Sequence, residues 1–459
     1  MDQVKAITET SGKQSYRWII LIIVSVVIGC NYYVYDAMSS IKSVLQAQLG
    51  FSSTDYGLII SFYAWPNTFL LMAIIGGIVL DKWGIKRTGI MFVSFCTLGA
   101  FLTAYGASDA YTSGGFGYEF FGSFLSGYSP ELKMMILGRL FFGLGAETSI
   151  VVINKVLVKW FKGKELAFAF GLNLAIARLG TAMALIFSPV LIASDSNIGN
   201  ALWVATILMG TGLTFFLIYT FFDKKFSSKS VEVQTPDEER FRISDIFKII
   251  QNKSFIYICL LCVIFYSAVF PFLSYCPDFL FNKFDVSRET SGVVTSIIIF
   301  GTILFTPLFG FLIDKHGKRA TLMLLGSGML FVIHFSLALT ELTPYIAMFL
   351  LGVSFSLVPA AMWPAVTQIV NENRLGTAYG IMFSVQNLGL FAFPTLAGYV
   401  LDKTNPGVTP QLIADGLANY DYTYTMLMFA SLGVIGFIFA LLLKRESTVS
   451  NINLEKGSK

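Results

Sequence analysis

Charge is what this chain has least of. Only 13% of its 459 residues are Asp, Glu, Lys or Arg, about half the 25% or so of a soluble domain, which excludes a water-solvated globule. Histidine is scarcer still, at two residues, His316 and His334. No cluster of nucleophile, base and metal ligand is visible, so no enzyme, no metal site and no cofactor are expected. All five cysteines fall in or at the ends of apolar segments. Cys259 and Cys262 have C-x-x-C spacing, but without a second pair or a nearby histidine they read as helix packing. The opening MDQVKAITETSGKQSYRW lacks the apolar core and cleavage site of a signal peptide. Segments of roughly ten alternating residues, the mark of a transmembrane barrel, are also missing. A net charge of +4 with scattered basic residues excludes a nucleic-acid partner.

What is abundant is apolar sequence, 55% of the chain, in runs that exceed the roughly 20 residues a helix needs to cross a bilayer. The runs predict an all-α integral membrane protein with twelve spans, near 17–38, 55–80, 86–106, 132–158, 164–193, 200–222, 255–280, 288–313, 320–340, 344–371, 376–401 and 421–443. The longest polar gap divides them six and six. It predicts an N-terminal six-helix bundle at 17–222, a linker at 223–254 and a C-terminal bundle at 255–445. Within the linker, RISDIFKII has helical periodicity suited to lying along the membrane surface. That linker is too short for the soluble signalling domain of a membrane sensor. If the N-terminus is cytoplasmic, 24 of the 32 Lys and Arg fall inside and five outside, which places both termini in the cytoplasm. The loop at 106–131, rich in Gly, Ser and aromatics, is expected to skim the outer interface.

An internal repeat links the halves. GIVLDKWGIKR, with Gly77, Asp81, Gly84, Lys86 and Arg87, follows the second span; GFLIDKHGKRA, with Gly310, Asp314, Gly317 and Arg319, follows the eighth. Two such strings at equivalent places point to duplication. Their glycines suit tight turns. Their aspartates can pair with basic groups or sit at a helix N-terminus, a latch that forms in one conformation and breaks in another.

The costly groups are the ionisable and amide side chains inside the spans, which by default face an interior pathway. In the fourth span Glu147 lies eight residues, about 12 Å, beyond Arg139, and Asn154 returns to nearly the same face. In the fifth, Arg178 sits about as far after the intervening turn as Glu147 sits before it, so both lie at similar depth. An internal salt bridge would use the two charges on each other. A substrate site would give the carboxylate a cation and the guanidinium a carboxylate, which together suit a small zwitterion. Glu147 can instead carry a coupling proton, and the residues leave both roles open. Asn31 and Tyr35 share a face of the first span, and Asn67 follows Pro66 in the second. Tyr266, Trp363, Gln386 and Asn387 supply polar and aromatic groups from the second half. Arg139 reads as a support or gating residue near the outer mouth. Pro271 and Pro277 read as a hinge in the seventh span.

The repeated loop resembles the signature of the major facilitator superfamily along essentially the whole chain. The resemblance implies two pseudo-symmetric six-helix bundles that rock about a central substrate. The strings VYD, YAWPN, GRLFFGLGAET, WFKGKELAFAFGLNLAIARLG, FPFL, MWP, LGTAYG and VQNLGL are similar to the branch containing the lysosomal dipeptide transporter. That branch implies a dipeptide-like zwitterion held by its termini at Glu147 and Arg178. The alternative is a proton-coupled carrier of an organic anion or sugar. A drug–proton antiporter is disfavoured because the fifth span lacks the G-x-x-x-G-P string of antiporters. The loop at 106–131 is longer than the family's, and no acidic dileucine signal stands near the N-terminus. The one N-x-S/T sequon, Asn252-Lys253-Ser254, falls in the linker. A bacterial cell membrane is therefore the expected location. The sequence assigns no accessory subunit.

Overall fold

The computed structural model describes residues 2–161, 163, 165–193, 198–226, 243–452 and 454–456, and every regular element among them is helical. The first half contains α1 (Asp2–Asp36), a 3₁₀ turn at Ser39–Ile41, α2 (Lys42–Leu49), α3 (Ser53–Phe62), α4 (Trp65–Phe69) and α5 (Met72–Gly106). It continues through α6 (Asp109–Thr112), α7 (Tyr118–Gly122), α8 (Pro130–Phe161), α9 (Leu166–Ala193) and α10 (Ile198–Phe226). After α11 (Ile243–Ile250) come α12 (Lys253–Phe284), α13 (Arg288–His316), α14 (Arg319–Leu339), α15 (Pro344–Ile369) and α16 (Leu375–Thr404). The chain ends with α17 (Pro410–Ala414) and α18 (Thr423–Val449). Among the described residues, eleven helices are long and apolar enough to cross a membrane.

The difference from the expected twelve arises in the second and third spans. The second is not one helix but α3, α4 and the start of α5. Pro66 at the first turn of α4, and Leu71 in the left-handed region (φ 53°, ψ 43°), break it twice. The third follows within the same long helix, after a break at Gly84 (φ 75°, ψ 169°). Gly317, its counterpart in the repeat, also has positive φ (70°, ψ −124°), which explains why both turns carry glycine there. The helical periodicity expected in the linker is present as α11, with Phe247 exposed and Ile249 buried. Residues 227–242 of the linker lie outside the described residues. Pro271 and Pro277 are buried within the continuous α12; the helix shows no break of the kind expected at a hinge.

Helices of the first half pack on one another, α1 on α9 and α10, and α5 on α8 and α10. In the second half α12 packs on α16 and α18, α13 on α15, and α14 on α15 and α18. The halves meet mainly through α3 on α16 and α9 on α13.

One close crossing is α5 on α8, the helix that carries Glu147. A Cβ at Gly99 would lie 2.3 Å from the Phe142 nitrogen, and one at Gly138 would lie 2.5 Å from the Thr103 nitrogen. Backbones approach this closely only where side chains are missing. Gly99→Ala is therefore expected to destabilise the purified protein by about 1–3 kcal/mol through overpacking, seen as a lower melting temperature. Gly210→Ala, which meets nothing within 4 Å, should leave it unchanged.

Candidate functional site: a central cavity open on the side of the termini

Both halves line a cavity of about 1870 Å³. Asp81, Lys82, Lys155 and Gly310 stand at its mouth, on the side of the two repeated turns. The chain termini share that side: Arg17 at the start of the first span pairs with Glu165 of the α8–α9 turn at 2.9 Å. The backbone N–H of Arg319 donates to the Leu454 carbonyl.

Asn31, Tyr35, Glu147, Asn154 and Arg178 from the first half line the cavity, as do Tyr266, Trp363 and Gln386 from the second. Glu147 and Arg178 are half-buried, and no ion pair joins them among the described residues. The internal salt bridge is thus not formed. Glu147 accepts a hydrogen bond from the Tyr63 hydroxyl at 2.9 Å. The Arg178 guanidinium lies over the rings of Tyr32, at 5.9 Å, and Phe355, at 4.9 Å, near enough for cation–π attraction. A carboxyl group and a guanidinium therefore face one volume without pairing with each other.

The opposite wall is aromatic. Trp363 donates from Nε1 to the Tyr266 hydroxyl at 2.9 Å and stacks on Phe383 at 4.7 Å. Tyr379 donates to the Trp363 carbonyl at 3.2 Å. The aromatic side chains hold one another, leaving a stiff, uncharged surface across from the charged one.

Two expected site residues do not line the cavity. Asn67 is buried at the start of α4, and its amide has no hydrogen-bond partner among the described residues; the break at Pro66 turns it inward. Asn387 is buried one position beyond Gln386, and its amide donates to the Phe383 carbonyl at 2.9 Å along its own helix. Successive helix positions differ by about 100° in facing, so only one of the pair faces the cavity.

Arg139 is 1% exposed and away from the mouth. Its guanidinium sits 5.4–5.6 Å from the rings of Tyr35, Tyr63 and Phe142. It packs against the tyrosine whose hydroxyl reaches Glu147, and donates to the Val34 and Tyr35 carbonyls at 3.4 and 3.5 Å. Tyr63 itself was not singled out in the sequence, although it opens the YAWPN string. Its position explains a glycine: a Cβ at Gly143 would lie 2.0 Å from the Tyr63 carbonyl oxygen. Asp36, next to the site, accepts from the Thr181 hydroxyl at 2.7 Å.

The repeated turns flank the mouth. Asp81 pairs with Lys155 at 2.6 Å within the first half. Asp314 approaches Arg319 at 3.8 Å within the second. Gly77 lines the cavity, and Lys86 and Arg87 are exposed. These ion pairs each stay within one half while the mouth is open.

The sequence profile of the Major Facilitator Superfamily matches residues 21–394 and 274–458. The lysosomal dipeptide transporter MFSD1 of Mus musculus is 31% identical over 406 residues, covering 85% of this chain and 82% of its own length. The hexuronate transporter of Bacillus subtilis is 23% identical over 439 residues, covering 91% and 94%. Among solved structures, the nucleoside transporter NupG superposes with a TM-score of 0.68 at 15% identity, over 93% of this chain and 99% of that one. A bacterial homologue of the human lysosomal transporter Spinster, solved inward-facing and occupied, gives 0.69 at 15% identity, over 94% and 97%. The eleven long apolar helices, the duplicated turn and the central cavity agree with what the profile reports: this chain is a multi-pass membrane transporter that belongs to the major facilitator superfamily.

Proposed function

We propose that this transporter carries dipeptides or similar small zwitterions, with Glu147 holding the ammonium end and Arg178 the carboxylate end. The observation that carries this reading is that the two side chains face one cavity, are not paired with each other, and are the only oppositely charged couple exposed in its deep part among the described residues. A guanidinium can take a carboxylate through two parallel hydrogen bonds. A carboxylate positioned by Tyr63 has one oxygen committed and one available to an ammonium. The similarity to the lysosomal dipeptide transporters supports the same substrate class.

A second reading has one observation behind it. Relatives include transporters named for hexuronate and sulfoacetate, both anions. In this reading Arg178 takes the anion and Glu147 carries a proton. We further infer a bacterial cell membrane with both termini cytoplasmic, which makes the cavity inward-facing; the Lys and Arg bias supports it. The duplicated turns then act as the cytoplasmic latch, forming contacts across the bundles when the mouth closes.

A thermal-shift screen of the purified protein against free amino acids, dipeptides, tripeptides, hexuronates and simple carboxylates separates the readings. Stabilisation by dipeptides is expected; stabilisation by a hexuronate or carboxylate alone would replace this choice with the second. Each charged contact is worth about 1.5–3 kcal/mol, so Glu147→Gln and Arg178→Ala should each weaken dipeptide binding roughly 10- to 100-fold. Both should still purify as folded protein. Normal uptake in both variants would remove the pair from the site. Tyr63→Phe, which frees the Glu147 carboxylate without discharging it, should raise the apparent KM about 2- to 10-fold, from a hydrogen bond of roughly 0.5–1.5 kcal/mol, with the maximal uptake rate retained. In proteoliposomes, dipeptide uptake that drives no change in lumenal pH fits Glu147 as an ammonium ligand, whereas co-transported protons assign it the second role.

A further inference from the structure

The end of the molecule opposite the mouth is shut, and at its centre is a charge that the transport site does not use. Lys42, at the start of α2, is 0% exposed in its side chain, and its partner Asp278, in α12, is 2% exposed. Their closest atoms are 2.7 Å apart. Lys42 Nζ also donates to Gln46 Oε1 at 2.8 Å. The ammonium is enclosed by four tyrosine rings, with centroids at 5.9 Å for Tyr56, 5.6 Å for Tyr275, 4.9 Å for Tyr420 and 6.0 Å for Tyr422. The Tyr422 hydroxyl donates to the Asp278 oxygen that Lys42 holds. The other carboxylate oxygen, Oδ1, is buried with no hydrogen-bond partner among the described residues.

The distribution of these groups over the two halves is informative. Lys42, Gln46 and Tyr56 belong to the first half. Asp278, Tyr275, Tyr420 and Tyr422 belong to the second. Around them the halves are joined by backbone-directed contacts. Tyr56 donates to the Ser274 carbonyl at 2.9 Å, and Asp402 accepts from the backbone N–H groups of Ser53 and Thr54 at 2.9 and 2.8 Å. A superfamily transporter exposes its site alternately to the two sides by rocking one half against the other. Opening this end must therefore withdraw the Lys42 ammonium from a carboxylate and three aromatic rings that stay behind together.

The geometry points to a second ammonium site, separate from Glu147: Asp278 with Tyr275, Tyr420 and Tyr422, filled by Lys42 while this end is shut and vacated when it opens. Its ligand class is a primary ammonium. A carboxylate supplies charge and hydrogen-bond acceptors, and π faces accept a cation on several sides. Lys42 is then a tethered ligand that clasps the halves. Removing it leaves Asp278 a buried, uncompensated charge, which favours the hydrated, open end. This inference rests on the fold and on alternating access, and is independent of the solute carried through the main cavity.

The test reads opening directly. Ser39, just before Lys42, is 1% exposed, so a Ser39→Cys thiol in detergent-purified protein should react slowly with a membrane-impermeant maleimide, above the background of the five native buried cysteines. Adding Lys42→Ala should raise the labelling rate at least tenfold. Ethylammonium at tens of millimolar should slow it again at least threefold, whereas ethanol, of the same size and uncharged, should not. Asp278→Asn in the Lys42→Ala background should abolish the ethylammonium response. Lys42→Met fills the cage with an apolar chain and should label fast with no ethylammonium response. Parent-like labelling in Lys42→Met overturns the clasp even if Lys42→Ala does not fold. Equal effects of ethylammonium and ethanol, or a response that survives Asp278→Asn, overturn the ammonium site. Dipeptide binding plays no part in the readout, so this result and the substrate assignment stand or fall separately.

Discussion

An ionised side chain among membrane-spanning helices has few ways to persist: water in a cavity, a partner of opposite charge, hydrogen bonds, or the face of an aromatic ring. Each deep charge here uses a different combination, and the architecture follows from the choice. Glu147 and Arg178 face the cavity, and each keeps one modest companion, a tyrosine hydroxyl for the first and aromatic faces for the second. Arg139 is sealed among three rings. Lys42 and Asp278 are sealed with each other and four tyrosines. The first two charges face the cavity without pairing; the last two pair with each other, with only Asp278 Oδ1 left without a hydrogen-bond partner among the described residues. That contrast separates a cavity-facing wall from a shut end.

The broken second span connects these two regions. Helix α3 begins at the shut end, where Asp402 of the other half holds its first backbone N–H groups. It ends next to Tyr63, whose hydroxyl reaches Glu147. One ten-residue helix thus runs from closure to charged wall. Tyr63 closes α3 in helical conformation (φ −56°, ψ −42°), and the bare backbone at Gly143 leaves room for its close approach to α8. On the other side of the cavity, the mutual hydrogen bonds of Tyr266, Trp363 and Tyr379 form a wall with shape but no charge. The polarity of the site is therefore set by the first half alone.

Much of the fold was legible in the chain, because a bilayer imposes its thickness on apolar runs and its charge asymmetry on loops. Apart from the start of α1, the broken second and third spans and the end of α18, helix ends came within a few residues of the spans expected, and Gly84 and Gly317 of the repeat both have positive φ. Eight of the ten expected substrate-site residues line the cavity. Asn67 and Asn387 do not, since a one-position change in helical facing, or a proline break, redirects a side chain without altering the apolar pattern. The pairing of Lys155 with Asp81, 74 positions away, carries no signal in the order of residues.

The sequence alone determined that this is a helical membrane protein of duplicated halves, because length, hydropathy and repeated turns are properties of the chain read in order. It also led to the expectation that Glu147 and Arg178 lie at similar depth, because helix rise is constant and both count back to the same turn. Only the tertiary structure decided that they face one cavity unpaired, and that Tyr63 sits beside Glu147. It also decided that Lys42, which reads as an ordinary loop lysine, meets Asp278, 236 positions away. Contacts between distant helices depend on how the halves pack, which helix periodicity does not encode.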